Sequence, residues 1–143
     1  MAGDGPDGAA RQLVLEQCDY DGPLAPDDDI FRRVGLTGDD VQDFMQAFAA
    51  RFDIDTSGYL WYFHTEEEGF NIGGALFRSP DKRVTRISVT PRTLADAITR
   101  KTWPVAYPDH DVPEARPDRV VNRLVFVAVL AVFAFLLGQR LAG

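Results

Sequence analysis

The sequence predicts a mostly α-helical protein: a small helical bundle with one short β-hairpin, continued by a single C-terminal transmembrane helix. Three observations predict it. Apolar residues recur at helical spacing over 41–52, a well-formed helix start stands at Thr90-Pro91, and residues 124–138 run without a charged, amide or hydroxyl side chain. The 143 residues hold one domain with appendages. With 45% hydrophobic residues and ten Phe, that domain has enough apolar surface to build a core.

In chain order, residues 1–8 read as a flexible N-terminus and a first helix is expected over Ala9–Cys18, with Leu13 and Val14 facing inward. DYDGPLAPDDD at 19–29 is a turn region. Thr37 then stands as N-cap of a second helix, with Asp39 and Asp40 in the first turn, where the helix dipole favours negative charge. Val41, Phe44, Met45, Phe48 and Phe52 give that helix one apolar stripe. Ser57 and Gly58 break it, and Tyr59, Trp61, Tyr62 and Phe63 are expected to close the core. ALFRSPDKRVTRISV at 75–89 suggests two short strands around a Pro80-Asp81 turn, with Ile87 and Val89 alternating against polar neighbours. Thr90 caps a last domain helix with Pro91 at its first position and Leu94, Ala97 and Ile98 on its apolar face, ending near Trp103.

The domain is thus expected over 9–105, a proline-rich linker over 106–119 and a transmembrane helix over 120–142. Prolines 104, 108, 113 and 117 each fix φ and push the preceding residue extended, so the linker is expected to hold the domain up to about 50 Å from a bilayer. The anchor consists of Leu124, Val125, Phe126, Val127, Ala128, Val129, Leu130, Ala131, Val132, Phe133, Ala134, Phe135, Leu136 and Leu137. A bilayer core of about 30 Å wants about 20 residues. Val120, Val121 and Leu141 extend the run, and Arg123 and Arg140 have stems long enough to snorkel. A soluble core helix would show a polar face, and this run shows none.

Charge is divided unevenly. Residues 1–70 carry 16 acidic and 4 basic side chains, whereas residues 71–143 carry 6 and 11. The acidic front half argues against nucleic acid and for a basic protein partner; the basic second half suits anionic lipid. Arg116, Arg119 and Arg123 precede the apolar run and Arg140 follows it, so the positive-inside bias puts the N-terminal domain in the cytoplasm. The expected layout is tail-anchored and single-pass in the inner (cytoplasmic) membrane. MAGDGPDGAA at the start lacks the basic and apolar regions of a secretory signal, and the single Cys18 allows no internal disulfide, consistent with a reducing compartment.

GLTGDDVQDFMQAFAARFDID at 35–55, YFHTEEEGF at 62–70 and SVTPRTLADAITRKTW at 88–103 together resemble a bacterial family of unknown function with an acyl-carrier-protein-like fold, the domain-of-unknown-function family numbered fourteen ninety-three. The resemblance covers residues 9–105 and implies a carrier-like scaffold with an acidic docking helix. Carrier proteins bear phosphopantetheine on a serine at the start of their second helix. Gly38 stands about there in this chain, and GDDV holds no hydroxyl to be esterified.

Other candidate chemistry is sparse. DIDTSGYLWYFH at 53–64 matches an EF-hand calcium loop at Asp53, Asp55, Ser57, Gly58 and Leu60, but His64 occupies the last position, where the loop needs a bidentate glutamate. The plainer reading is a turn whose short polar side chains cap neighbouring backbone groups. His64 beside Glu66, Glu67 and Glu68 lacks a second histidine at ligand spacing, and a solvated acidic helix start accounts for the run. His110 is expected to be exposed in the linker, and Cys18 to be a small buried hydrophobe without a partnering base. No glycine-rich phosphate loop or nucleophile elbow is present. The expectation is therefore a non-enzymatic, membrane-tethered interaction module without cofactor, metal or small-molecule substrate, docking a partner through Asp39, Asp40 and Asp43. A divergent acyl carrier protein and a degenerate calcium-binding protein are the alternatives.

Overall fold

The computed structural model describes residues 5–142, and the described residues form α-helices and short 3-10 turns with no β-strand. α1 spans Pro6–Cys18 and starts three residues earlier than expected, because Pro6 sits where its missing N–H would have had no partner anyway. Residues 6–8 of the expected flexible segment are therefore helical, and residues 1–4 lie outside the described part. α2, Ile30–Val34, is too short to show a period in sequence. Its start is capped by Asp29, whose carboxylate accepts from Arg32 N–H at 3.2 Å, and it stops at Gly35, whose φ of 76° suits glycine.

α3 spans Gly38–Phe52 and α4 spans Pro91–Arg100. On α4 the expected cap is complete: Thr90 Oγ1 accepts from Thr93 N–H at 3.1 Å, and Thr93 Oγ1 accepts in return from Thr90 N–H. α1 packs on α4, and the core fills with Leu13 and Val14 of α1, Ile30 and Phe31 of α2, Val41, Phe44, Met45 and Phe48 of α3, and Leu94 and Ala97 of α4. Phe31 meets Phe44 edge-on at 5.8 Å, an arrangement that aromatic quadrupoles favour. Each of these buried side chains larger than alanine stabilises the bundle by about 1.5–3 kcal/mol.

The expected hairpin does not form. Residues 73–77 close a tight turn in which Leu76 and Phe77 N–H both donate to the Gly73 carbonyl, and Pro80–Lys82 forms a second turn. The later segment is extended but pairs elsewhere: Ile87 N–H donates to the Phe63 carbonyl at 2.6 Å, and Ile30 N–H donates to the Val89 carbonyl at 2.9 Å. Alternation at Ile87 and Val89 reports a half-buried extended chain, whatever its partner. Among the described residues the single β-type pairing is an isolated parallel bridge between Asp55 and Thr102.

Residues 103–116 contain no helix, as their prolines require, yet they are not a free spacer. Val105 and Tyr107 pack against the core, and His110, although exposed, accepts or donates a 3.0 Å hydrogen bond with the Tyr62 hydroxyl and stands edge-on to Phe63. α5 then spans Pro117–Ala142, three residues ahead of the expected start at 120, again with proline at its first position and an acidic residue, Asp118, in its first turn. It is long and apolar enough to cross a membrane: 25 residues from Pro117 to Leu141 reach about 37 Å, and its most apolar 18-residue stretch has a mean hydropathy of 2.6 and is 0% buried against the rest of the chain. Exposed Phe126, Phe133, Phe135 and their neighbours form an apolar surface far beyond what a water-soluble monomer presents, so the helix associates with a membrane.

Candidate functional site

The start of α3 lies on one wall of an open cleft of about 330 Å³, and the start of α5 lies on the other. Gly38, Asp39 and Gln42 face Glu66, Glu67, Glu68, Arg116 and Arg119 across it. Thr37 occupies the N-cap position as expected, but its hydroxyl donates to the Glu68 carboxylate instead of capping the helix. The first helical N–H, that of Gly38, donates to Thr65 Oγ1 at 3.2 Å. Gly38 itself has φ of 47°, and a Cβ there would fall 2.4 Å from Glu68 Cγ. Gly38 thus has neither a hydroxyl nor a backbone conformation that a serine readily adopts.

The three glutamates do not begin a helix; each is tied to a different element. Glu66 pairs with Lys82 at 3.3 Å, Glu67 with both Arg116 and Arg119, and Glu68 with Thr37. Arg116 also donates to Asp118 at 2.7 Å. Those bonds, to Asp118 first and Glu67 second, push the Arg116 guanidinium further above its already high range, so its charge is permanent. Further along, Asn71 Nδ2 donates to Asp118 at 3.2 Å, Asn122 Nδ2 donates to Asn71 Oδ1 at 2.9 Å, and Gly73 N–H donates to Asn122 Oδ1 at 2.8 Å. Together they form a polar clasp joining the 65–73 segment to the first turns of α5.

Asp39, Asp40 and Asp43 differ from these glutamates. All three are exposed in the first two turns of α3, and among the described residues none is in an ion pair.

His64, the residue at the end of the calcium-loop match, points inward and is fully buried. Its Nδ1 lies 2.8 Å from the Ile87 carbonyl, which only accepts, so Nδ1 carries the proton and Nε2 accepts from the Tyr107 hydroxyl at 2.8 Å. The Tyr107 oxygen in turn accepts from Trp103 Nε1 at 2.8 Å and from Leu60 N–H at 3.1 Å. Tyr59 stacks on the imidazole at 5.1 Å. Burial lowers the His64 pKa to about 4, with the Ile87 bond opposing, so the ring is neutral at physiological pH. It is a structural hub and supplies no ligand to the 53–64 loop. In that loop Asp55 accepts from Ser57 N–H at 2.9 Å, a local turn bond that also holds the Asp55 carboxyl below its ordinary range. Among the described residues no three His, Cys, Asp or Glu side chains are grouped as a metal would need. Cys18 is half-buried against the core, and burial pushes its thiol up, away from the reactive thiolate.

Sequence reasoning singled out Asp39, Asp40, Asp43 and the apolar run of α5, and missed both polar assemblies. Their longest-range contacts join residues 43–52 positions apart, as in His64–Tyr107 and Glu67–Arg119, beyond any local spacing rule. The available signal was an acidic triplet at 66–68 with no basic residue near it in sequence, and an arginine pair at 116 and 119. Comparisons with family models, curated proteins and solved structures give no match to this chain.

Proposed function

We propose that this protein is a non-enzymatic, single-pass membrane module whose domain docks a basic protein surface through the start of α3. The observation that carries the reading is the free state of Asp39, Asp40 and Asp43, which sit beside acidic neighbours that are all engaged internally. A carboxylate already paired offers a partner little, because a new contact must first break the old one. Three unpaired carboxylates in the first turns of one helix offer a focused negative surface at little desolvation cost. The cleft beside them is bounded by the first turns of α5, so a partner seated there would lie near the bilayer. The arginines at 116, 119 and 123, against Arg140 alone beyond the apolar run, support a cytoplasmic location for the domain and the inner membrane as its site.

The test is affinity capture from detergent-solubilised membranes with the full chain carrying Asp39→Lys, Asp40→Lys and Asp43→Lys. The charge reversal is expected to abolish a salt-sensitive partner captured by the native chain, without altering the melting temperature by more than a few degrees. Undiminished capture would remove this helix as the docking surface. Orientation is read separately, by labelling Gln17→Cys with a membrane-impermeant maleimide in intact and in opened cells; the expected result is labelling only after opening.

A further inference from the structure

Outside α5, exposed large apolar side chains are concentrated in one loop. Phe70 is 89% and Leu76 73% exposed, and Ile72 and Phe77 are exposed beside them. Four such residues within eight positions form a patch that in water would be costly, and nothing among the described residues covers it.

The position of this loop identifies what does. The clasp fixes it against the entry of α5: Gly73 donates to Asn122 at 2.8 Å, and the approach is so close that a Cβ on Gly73 would lie 2.2 Å from the Asp118 carbonyl oxygen. Val121, Asn122 and Val125 are half-buried, whereas residues 126–141 are exposed, which marks the stretch of α5 alongside the loop. The apolar run begins at Leu124, two residues or about 3 Å beyond Asn122. A bilayer accepting α5 therefore begins within a side chain's length of the loop. Basic residues ring the same level. Arg78 and Arg83 line a crevice with Arg116 and Pro117, and Arg123 follows nearly two turns on. Apolar side chains flanked by arginines are the composition of a segment that lies in the headgroup and acyl boundary.

We propose that residues 70–77 form an interfacial anchor, seated in the leaflet through which α5 enters, so that the domain is held on the bilayer at two points instead of swinging from one. This rests on α5 being inserted, and the experiment separates the two. The full chain with Cys18→Ala carries one environment-sensitive fluorophore at Leu76→Cys, at Leu130→Cys or at Gln17→Cys, and is reconstituted into vesicles of phosphatidylcholine and phosphatidylglycerol. Shallow spin-labelled lipid is expected to quench most of the emission at 76, deep spin-labelled lipid that at 130, and aqueous iodide that at 17. If the label at 130 is lipid-quenched but that at 76 answers only to iodide, the loop is in water and the proposal fails while the anchor stands. Should neither label respond to lipid, α5 is not in the bilayer and both readings fall. Shielding of the label at 76 from lipid and iodide alike, relieved by dilution to one chain per vesicle, would show a second copy as the occupant and also overturn the proposal.

Discussion

α3 and α5 both carry rows of Phe and other apolar residues, yet the row of α3 is buried in protein and that of α5 from Phe126 to Leu141 is exposed. α3 confines its apolar side chains to one face, with Asp39, Asp40 and Asp43 exposed outside it, so it gains by packing one side and leaving the other in water. α5 is apolar all round from Leu124, and no single-sided contact would satisfy it. The difference teaches that distribution of apolar residues around the axis, more than their number, decides which solvent a helix chooses. It also explains why the chain needs the clasp. The α1–α4 bundle and α5 share no apolar core, so Glu67, Arg116, Asn71 and Asn122 supply the connection.

The sharpest way to break the comparison is to truncate a Phe in each region. Phe48→Ala, in the fully buried stripe, is expected to cost about 3–5 kcal/mol and to unfold the domain at a much lower temperature, read by circular dichroism in detergent. Phe133→Ala on α5 is expected to leave that melt unchanged, since its surroundings are lipid or detergent on every side. An equal loss for both would mean that α5 folds back onto the bundle.

The next effect separates the bundle from the clasp by pH. His64 ordinarily titrates at 6.5 but only at about 4 when folded, so the unfolded chain takes up a proton that the folded site refuses. Stability is therefore fully present above pH 6.5 and falls as pH drops toward 4, by about 2–3 kcal/mol at about pH 4.5. Asp29 contributes at lower pH: burial works against its charge, but Arg86, Arg32 N–H and Ser88 together hold its carboxyl below 3.8, so its share is lost only beneath that value. Denaturant unfolding in detergent between these limits is expected to lose its slope in His64→Gln; parallel slopes would contradict the assignment.

Glu67→Ala removes the shared partner of Arg116 and Arg119 and is expected to cost about 1–2 kcal/mol, because Arg116 keeps Asp118. Its signature is local: hydrogen exchange rises over 65–77 and 116–122 while α1 and α4 stay protected. Gly38→Ala has the smallest effect, about 1 kcal/mol from the left-handed φ, with Glu68 swinging aside to make room. A neutral or stabilising result there would mean that α3 starts in an ordinary helical conformation.

Several features could be read without coordinates because their causes are local. The apolar stripe 41–52, the Thr90-Pro91 start and the run 124–138 depend on residue spacing and composition within one or two helical turns. The Pro80-Asp81 hairpin failed for the same reason: alternation and a turn residue define an extended chain and a bend, while the hydrogen-bond partner is chosen elsewhere. Thr37 illustrates the limit at a single residue, since its capping hydroxyl was claimed by Glu68 from 31 residues away.

The sequence by itself determined that this chain has an amphipathic bundle, an acidic first half and a helix suited to lipid, since each follows from composition and period. Only the tertiary structure decided which charges remain free, that His64 is a neutral core hub, and that the prolines at 104–117 lie along the domain and bring α5 to Glu67 and Asn71. Those outcomes depend on contacts across some fifty residues, where any acidic side chain could have met any arginine until burial of the apolar faces set the distances.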